Sequence, residues 1–220
     1  MSTTLTPFLT PIQRSSMQRV FSYAFCTILV PSQKENMRAL IIVDVQNDFC
    51  PGGALETVKG AIQAQSIAEY TASHRGKYDC IAATKDWHID PGDHFSQTPD
   101  FIDSWPVHCI ANTEGADFHP LLSNMHFDEV FYKGHYSAAY SGFEGSTASG
   151  ELLGEWLKNR GIREIDIAGI ATDYCVQATA LDGLREGFRV TVLSHLCAAV
   201  NEDNTHTVLH QLKEHGCVLV

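Results

Sequence analysis

The sequence predicts an α/β fold with three layers, α/β/α, around a mainly parallel sheet of about six strands. Three observations predict it. Short apolar, β-branched runs alternate with segments of helical spacing from Met37 onward. Strands joined by helices of this length need right-handed crossovers, which make neighbouring strands parallel. With 220 residues, 44% of them hydrophobic, the chain can bury one sizeable core without a second domain.

The elements follow in order. Ala39–Val45 (ALIIVDV) reads as a buried strand, and Ala61–Ser73 has helical spacing. Cys80–Lys85 (CIAATK) is the second strand and Glu129–Lys133 (EVFYK) the third. Gly150–Arg160 reads as a helix that Gly161 closes. Glu164–Gly169 (EIDIAG) is the fourth strand, followed by a helix over Asp173–Glu186 capped by Gly187. Arg189–Leu196 (RVTVLSHL) is the fifth strand. Asn204–His215 is a helix closed by Gly216, and Val218–Val220 forms a short sixth strand.

Residues 1–36 read differently. They contain Ser, Thr and Pro, three basic residues (Arg14, Arg19, Lys34), one acid (Glu35) and a short apolar run, Val20–Val30. Eleven apolar residues are too few to span a bilayer. A signal-peptide core or an organellar transit segment would share these features. The preferred reading is an unstructured N-terminal extension or an upstream start codon chosen in error, ahead of a folded domain over residues 37–220. The formal charge is −11, from 15 Lys and Arg against 26 Asp and Glu, and no basic patch appears. This argues against a nucleic-acid partner, and no membrane partner is expected. Seven cysteines at irregular spacing, without a CxxC, argue for a reducing compartment, the cytoplasm. No glycine-rich phosphate loop follows the first strand, which counts against nucleotide binding.

In open parallel sheets, sites form beyond the carboxyl ends of the strands. That rule selects Asp44, Asp86, Lys133 and the segment Ala171–Cys175. Thr172 or Asp173 can cap the helix after the fourth strand, so Cys175 falls in its first turn. The free N–H groups and dipole there favour a thiolate, and the same N–H groups can hold an oxyanion. The position equally suits an inert cysteine packing helix on sheet. Asp44 is either a strand-end cap or a general base, its pKa raised by partial desolvation. Lys133 is either an exposed cation or, if it points inward, a partner that holds Asp44 ionised and steadies developing negative charge.

The stretch KDWHIDPGDHFSQTPDFIDSWPVHC is rich in turn residues and poor in helix signals. It places Asp86, His88, His94 and His108 within 23 positions. One carboxylate and three imidazoles suit a single divalent transition metal ion, and zinc, iron and manganese all fit that donor set. Each of the four residues alone has an ordinary loop reading; the four together point to ligation.

The motifs DVQNDF (Asp44–Phe49), KDWH with GDHFS, SWPVHC, FYKG and GIATDYCV, in this order, resemble those of nicotinamidase/pyrazinamidase enzymes of the isochorismatase-like cysteine hydrolase superfamily. The resemblance runs from Met37 to the C-terminus. It implies a catalytic triad of Asp44, Lys133 and Cys175, and metal ligation by Asp86, His88, His94 and His108. It implies that Phe49 and Trp105 sandwich an aromatic ring, with Tyr140 and Ile170 at the pocket. It also implies a cis peptide between Ile170 and Ala171 that turns the Ala171 N–H toward the site beside that of Cys175. The expected activity is hydrolysis of nicotinamide to nicotinate and ammonia in NAD salvage, with pyrazinamide as a second substrate. The expected partner is that small-molecule substrate, and self-association into a homo-oligomer is left open. The alternatives are another amidase of the superfamily acting on a carbamoyl or ureido compound, and a non-catalytic metal or thiol sensor on the same fold. The first 36 residues have no counterpart in the family pattern, and the resemblance assigns no role to Tyr174.

Overall fold

The structure, a computed structural model, describes Met1 and residues 36–220. The expectation for the N-terminal extension lies outside the described residues, apart from Met1 and Asn36. Six strands form one sheet: β1 (Met37–Val43), β2 (Cys80–Asp86), β3 (Glu129–Lys133), β4 (Ile162–Ile170), β5 (Arg189–Ala198) and β6 (Val218–Leu219). Their order is β3-β2-β1-β4-β5-β6 and every pairing is parallel. The central strands are apolar on both faces because helices or loops cover both. Ala39, Ile41 and Val43 of β1 face one cluster, while Leu40 and Ile42 face the other.

Helix α1 (Gly60–His74) packs Ala64 and Ile67 into the second cluster. Helices α2 (Leu153–Asn159), α3 (Gln177–Arg185) and α4 (Thr205–Glu214) supply Trp156, Leu157, Ala180 and Leu212 to the first. The result is the expected three-layer α/β/α arrangement. Among the described residues, no helix is long and apolar enough to cross a membrane.

Gly161, Gly187 and Gly216 close α2, α3 and α4 at positive φ, as the sequence predicts. Several boundaries differ from expectation, three of them for local reasons. β1 ends at Val43, because Asp44 turns the chain at φ 47°. Helix α2 starts at Leu153 rather than Gly150, because Leu152 is extended and bridges Ser146. Helix α3 starts at Gln177, because Thr172–Val176 forms a π turn.

The strand order reverses between β1 and β4. β1 leads outward through β2 to β3; β4 returns to the other side of β1 and leads outward through β5 to β6. The switch point opens a crevice beyond the carboxyl ends of β1 and β4. Gly169, one residue before the end of β4, has φ +131° and lies flat against β1: a Cβ there would sit 2.1 Å from the Val43 carbonyl oxygen and 2.7 Å from its nitrogen. Gly169→Ala must therefore push the two central strands apart where they carry the crevice residues. We expect a loss of more than about 3 kcal/mol in urea unfolding; an unchanged midpoint would contradict this reading of the β1–β4 contact.

Candidate active site

Asp44 lies just past β1, Asp86 ends β2, Lys133 ends β3, and Cys175 lies in the π turn after β4. All four are buried. The Lys133 ammonium is at their centre. Its Nζ lies 2.9 Å from Asp44 Oδ2, donates to Asp86 Oδ1, donates to the Ala139 carbonyl oxygen at 3.0 Å and reaches Cys175 Sγ at 3.5 Å. The second oxygen of Asp44, Oδ1, accepts a hydrogen bond from the Thr84 hydroxyl at 2.6 Å.

These contacts set the protonation states. Burial pushes the Lys133 amine down, but Asp44, Asp86 and Cys175 outweigh it and hold the amine well above its ordinary value. Burial pushes the Asp44 carboxyl up; Lys133 opposes this, Asp86 adds to it, and the net shift is upward. Burial also pushes Asp86 up, but the Lys133 ammonium outweighs it and carries the carboxyl below the usual carboxylate range. The Cys175 thiol moves well above its ordinary value, from burial first and then from the two carboxylates, against the pull of Lys133. The helix start favours a thiolate, but burial acts in the opposite direction and outweighs it in the shift of the Cys175 thiol. The Thr172 and Asp173 side chains do not cap the turn. The Asp173 carboxylate instead accepts the N–H groups of Val200 and Asn201, both at 2.9 Å, and ties the loop after β5 to the turn.

Beside this group, His88, His94 and His108 gather with their ligating nitrogens within 4.8 Å of one another, all buried. His88 Nδ1 lies 2.6 Å from the Gly134 carbonyl oxygen and His108 Nδ1 lies 2.7 Å from that of Pro106. A carbonyl only accepts, so in both rings Nδ1 carries the hydrogen and Nε2 is left with its lone pair. Both Nε2 atoms lie 3.9 Å from Asp86 Oδ2. His88 Nε2 and His94 Nδ1 are buried without a hydrogen-bond partner. Burial and the other two imidazoles push His94 down to about 4, so it is a neutral donor at neutral pH. Orphaned lone pairs converging on a carboxylate oxygen are what a metal cation requires, so the residues fit a divalent ion. Gly134, at φ +75°, is demanded by this packing, since a Cβ there would lie 2.6 Å from His88 Cε1.

The loop carrying the histidines is ordered by its own bonds. The His88 N–H reaches the Cys109 carbonyl, the Trp105 N–H reaches that of His94, and the Ser96 N–H reaches that of Trp105. Asp100 Oδ1 accepts the N–H groups of Ile102, Asp103 and Ser104.

A cavity opens between the thiol and the imidazoles. Phe49, Trp105, Tyr140, Ile170, Ala171 and Cys175 all line it, with His94, His108 and Asp86. Lys133 and His88 do not line the cavity but contact residues that do, and Asp44 lies behind them against Lys133; the Ile170–Ala171 peptide is cis. The sequence reading missed several residues. Leu55, Ala139 and Val200 also line the cavity, and nothing local in the sequence marks them. Tyr174 packs edge-on against Trp105 and donates its hydroxyl to the Phe101 carbonyl, so it holds the Trp105 wall. Thr84, Gln46 and Asp48 hold site residues from behind; the last two stand inside DVQNDF, the one signal that would have found them.

The isochorismatase domain model matches residues 38–220. The chain therefore belongs to the isochorismatase domain family. Within that family it is 52% identical over 184 residues to the nicotinamidase/pyrazinamidase of Mycobacterium tuberculosis, covering 84% of this chain and 98% of that one. Among solved structures it is similar to a pyrazinamidase of Pyrococcus horikoshii in complex with zinc, at 36% identity and TM-score 0.69, covering 83% of this chain and 98% of that one. It is also similar to PnC1 of L. infantum in complex with nicotinate, at 32% identity and TM-score 0.73, covering 84% and 93%.

The site makes a prediction about its sulfur. Burial raises all six described thiols, Cys175 and Cys109 as well as Cys50, Cys80, Cys197 and Cys217, so burial does not single Cys175 out; what sets it apart is the Lys133 ammonium 3.5 Å from its sulfur and its place in the lining of the cavity. Among the six described cysteines, iodoacetamide should label Cys175 first, as read by peptide mapping. Earlier labelling of Cys50 or Cys197 would contradict the activating role of Lys133.

Proposed function

We propose that this chain is a metal-dependent cysteine amidohydrolase that converts nicotinamide to nicotinate and ammonia, with a hydrolase domain over residues 37–220 and residues 1–36 as an extension outside it. The observation that carries the reading is that the Cys175 thiol at the cavity, the Lys133 ammonium and the Asp44 carboxylate are in contact beside three gathered, buried imidazoles. The zinc and nicotinate in the two similar structures support it. The free state of the six described cysteines supports a reducing compartment, the cytoplasm.

Asp86, His88, His94 and His108 would hold the metal, which supplies an electron-pair acceptor for the ring nitrogen and so orients the ring. Phe49 and Trp105 bracket the aromatic plane, and Tyr140 and Ile170 complete the walls. The carboxamide then faces Cys175.

Asp44, with its raised pKa, accepts the thiol proton as the sulfur attacks the amide carbon. The Lys133 ammonium stabilises the forming thiolate from 3.5 Å. The N–H groups of Ala171 and Cys175 hold the oxyanion. Asp44 returns its proton to the leaving ammonia, and a thioester remains on Cys175. Asp44 then takes a proton from water as the hydroxide adds to the thioester carbon, the departing sulfur takes that proton back to restore the Cys175 thiol, and the acid product leaves as nicotinate after losing its carboxyl proton to solvent. The covalent route divides a poor electrophile and a poor leaving group between two smaller barriers.

Two assays test this. Cys175→Ala should lower ammonia release from nicotinamide to background while bound metal is retained; continued turnover would remove the nucleophile. Pyrazinamide carries a ring nitrogen in the same relation to its carboxamide and should be hydrolysed. Benzamide lacks that nitrogen and should react at least about 100-fold more slowly; equal rates would remove the ring-anchoring role of the metal cluster.

A further inference from the structure

Gln46 has no part in the reaction above, yet it is completely buried at the site. β1 pairs with β2 as far as Ile42 and Ala83. The last backbone bond between the two is from the Asp44 N–H to the Thr84 carbonyl, at 3.3 Å, before Asp44 turns the chain away. The N–H and C=O of alternate strand residues face the same neighbour, so Asp86, two residues after Thr84, faces a side where β1 has already ended.

The Gln46 side chain fills that place. Its Oε1 accepts the Asp86 N–H at 2.8 Å, and its Nε2 donates to the Asp86 carbonyl at 2.8 Å. Nε2 also donates to the Ala116 carbonyl at 3.0 Å. The carboxamide has one orientation: reversed, its oxygen would face two carbonyl oxygens. On the other side of Asp86, the β3 register places Lys133 opposite it. The Asp86 peptide is thus held from both sides. Its carboxylate then meets Lys133 with Oδ1 and the His88 and His108 Nε2 atoms with Oδ2.

We propose that Gln46 is a positioning residue for Asp86, its carboxamide acting as a side-chain substitute for strand backbone that sets the carboxylate toward the imidazoles. This rests on the reading that Asp86 and the three histidines hold a divalent metal. A small rotation of the Asp86 peptide swings Oδ2 away from the two Nε2 atoms, so losing the clamp costs metal affinity before it costs the fold. Partners that orient a ligand are worth about 10- to 100-fold in metal affinity.

The test measures zinc affinity of the metal-free full chain by competition with a chromophoric chelator, together with its thermal midpoint. Gln46→Met keeps the length and removes all three bonds. Gln46→Glu keeps an acceptor for the Asp86 N–H but sets its other oxygen against two carbonyls. Leu212→Ala, a buried truncation on α4 remote from the site, serves as a destabilised control. Both Gln46 variants should bind zinc about 10- to 100-fold more weakly than wild type. Leu212→Ala should melt earlier and bind zinc as wild type does. Folded Gln46 variants that bind zinc as tightly as wild type would overturn the role, and if Gln46→Met does not fold, Gln46→Glu decides alone. Weakened zinc binding in Leu212→Ala to the same degree would also overturn it, by making general destabilisation the cause. A wild-type chain that binds no zinc would remove the metal reading itself, and this role with it.

Discussion

The buried Lys133 ammonium is the contact on which the rest of the site depends. It touches the Cys175 thiol, the Asp44 carboxylate and the Asp86 carboxylate that faces the histidines, and those three come from the ends of β4, β1 and β2. A lone charge this deep is too costly to keep, so the amine stays protonated only because two carboxylates stand against it. The carboxylates depend on it in turn. Asp86 keeps its charge beside Lys133, while burial holds the Asp44 carboxyl above its ordinary value. Two carboxylates against one ammonium leave surplus negative charge on the side that faces the orphaned imidazole nitrogens. A dry polar cluster of that sign suits a cation at the histidines and a neutral thiol at rest.

The sheet makes the convergence possible. Parallel pairing lines up the carboxyl ends of β1 to β4, so residues far apart in sequence finish at one edge. The strand reversal between β1 and β4 leaves the gap into which Cys175 projects. Gly169 lets β4 lie against β1 at this edge, and Gly134 lets the Lys133 turn lie against His88. Both glycines are part of the site's construction although neither lines the cavity.

Much of this was legible in the sequence. The six strands and four helices follow from hydrophobic period and helix-closing glycines, and the rule about strand ends selects Asp44, Asp86, Lys133 and Cys175 before any geometry is known. Imidazole and carboxylate spacing marks the metal loop. What the sequence hides is of two kinds. Side chains that act by reaching across the fold leave no local trace; Gln46 on the Asp86 peptide and Tyr174 on the Phe101 carbonyl are examples. Environment is hidden as well. The segment after β4 reads as an ordinary helix start that would favour a thiolate, but five of its residues form a π turn and the sulfur is buried among carboxylates, which reverses the expected shift.

The central claim is that one ammonium makes this sulfur usable. Lys133→Met preserves the shape of the side chain and removes its charge. The measurement is the pH dependence of Cys175 alkylation in wild-type and Lys133→Met protein. Loss of the ammonium should move the profile to higher pH and slow alkylation at pH 8 by at least about tenfold, the equivalent of one pKa unit. A Lys133→Met protein that is folded and alkylates at Cys175 with the wild-type profile would contradict the account.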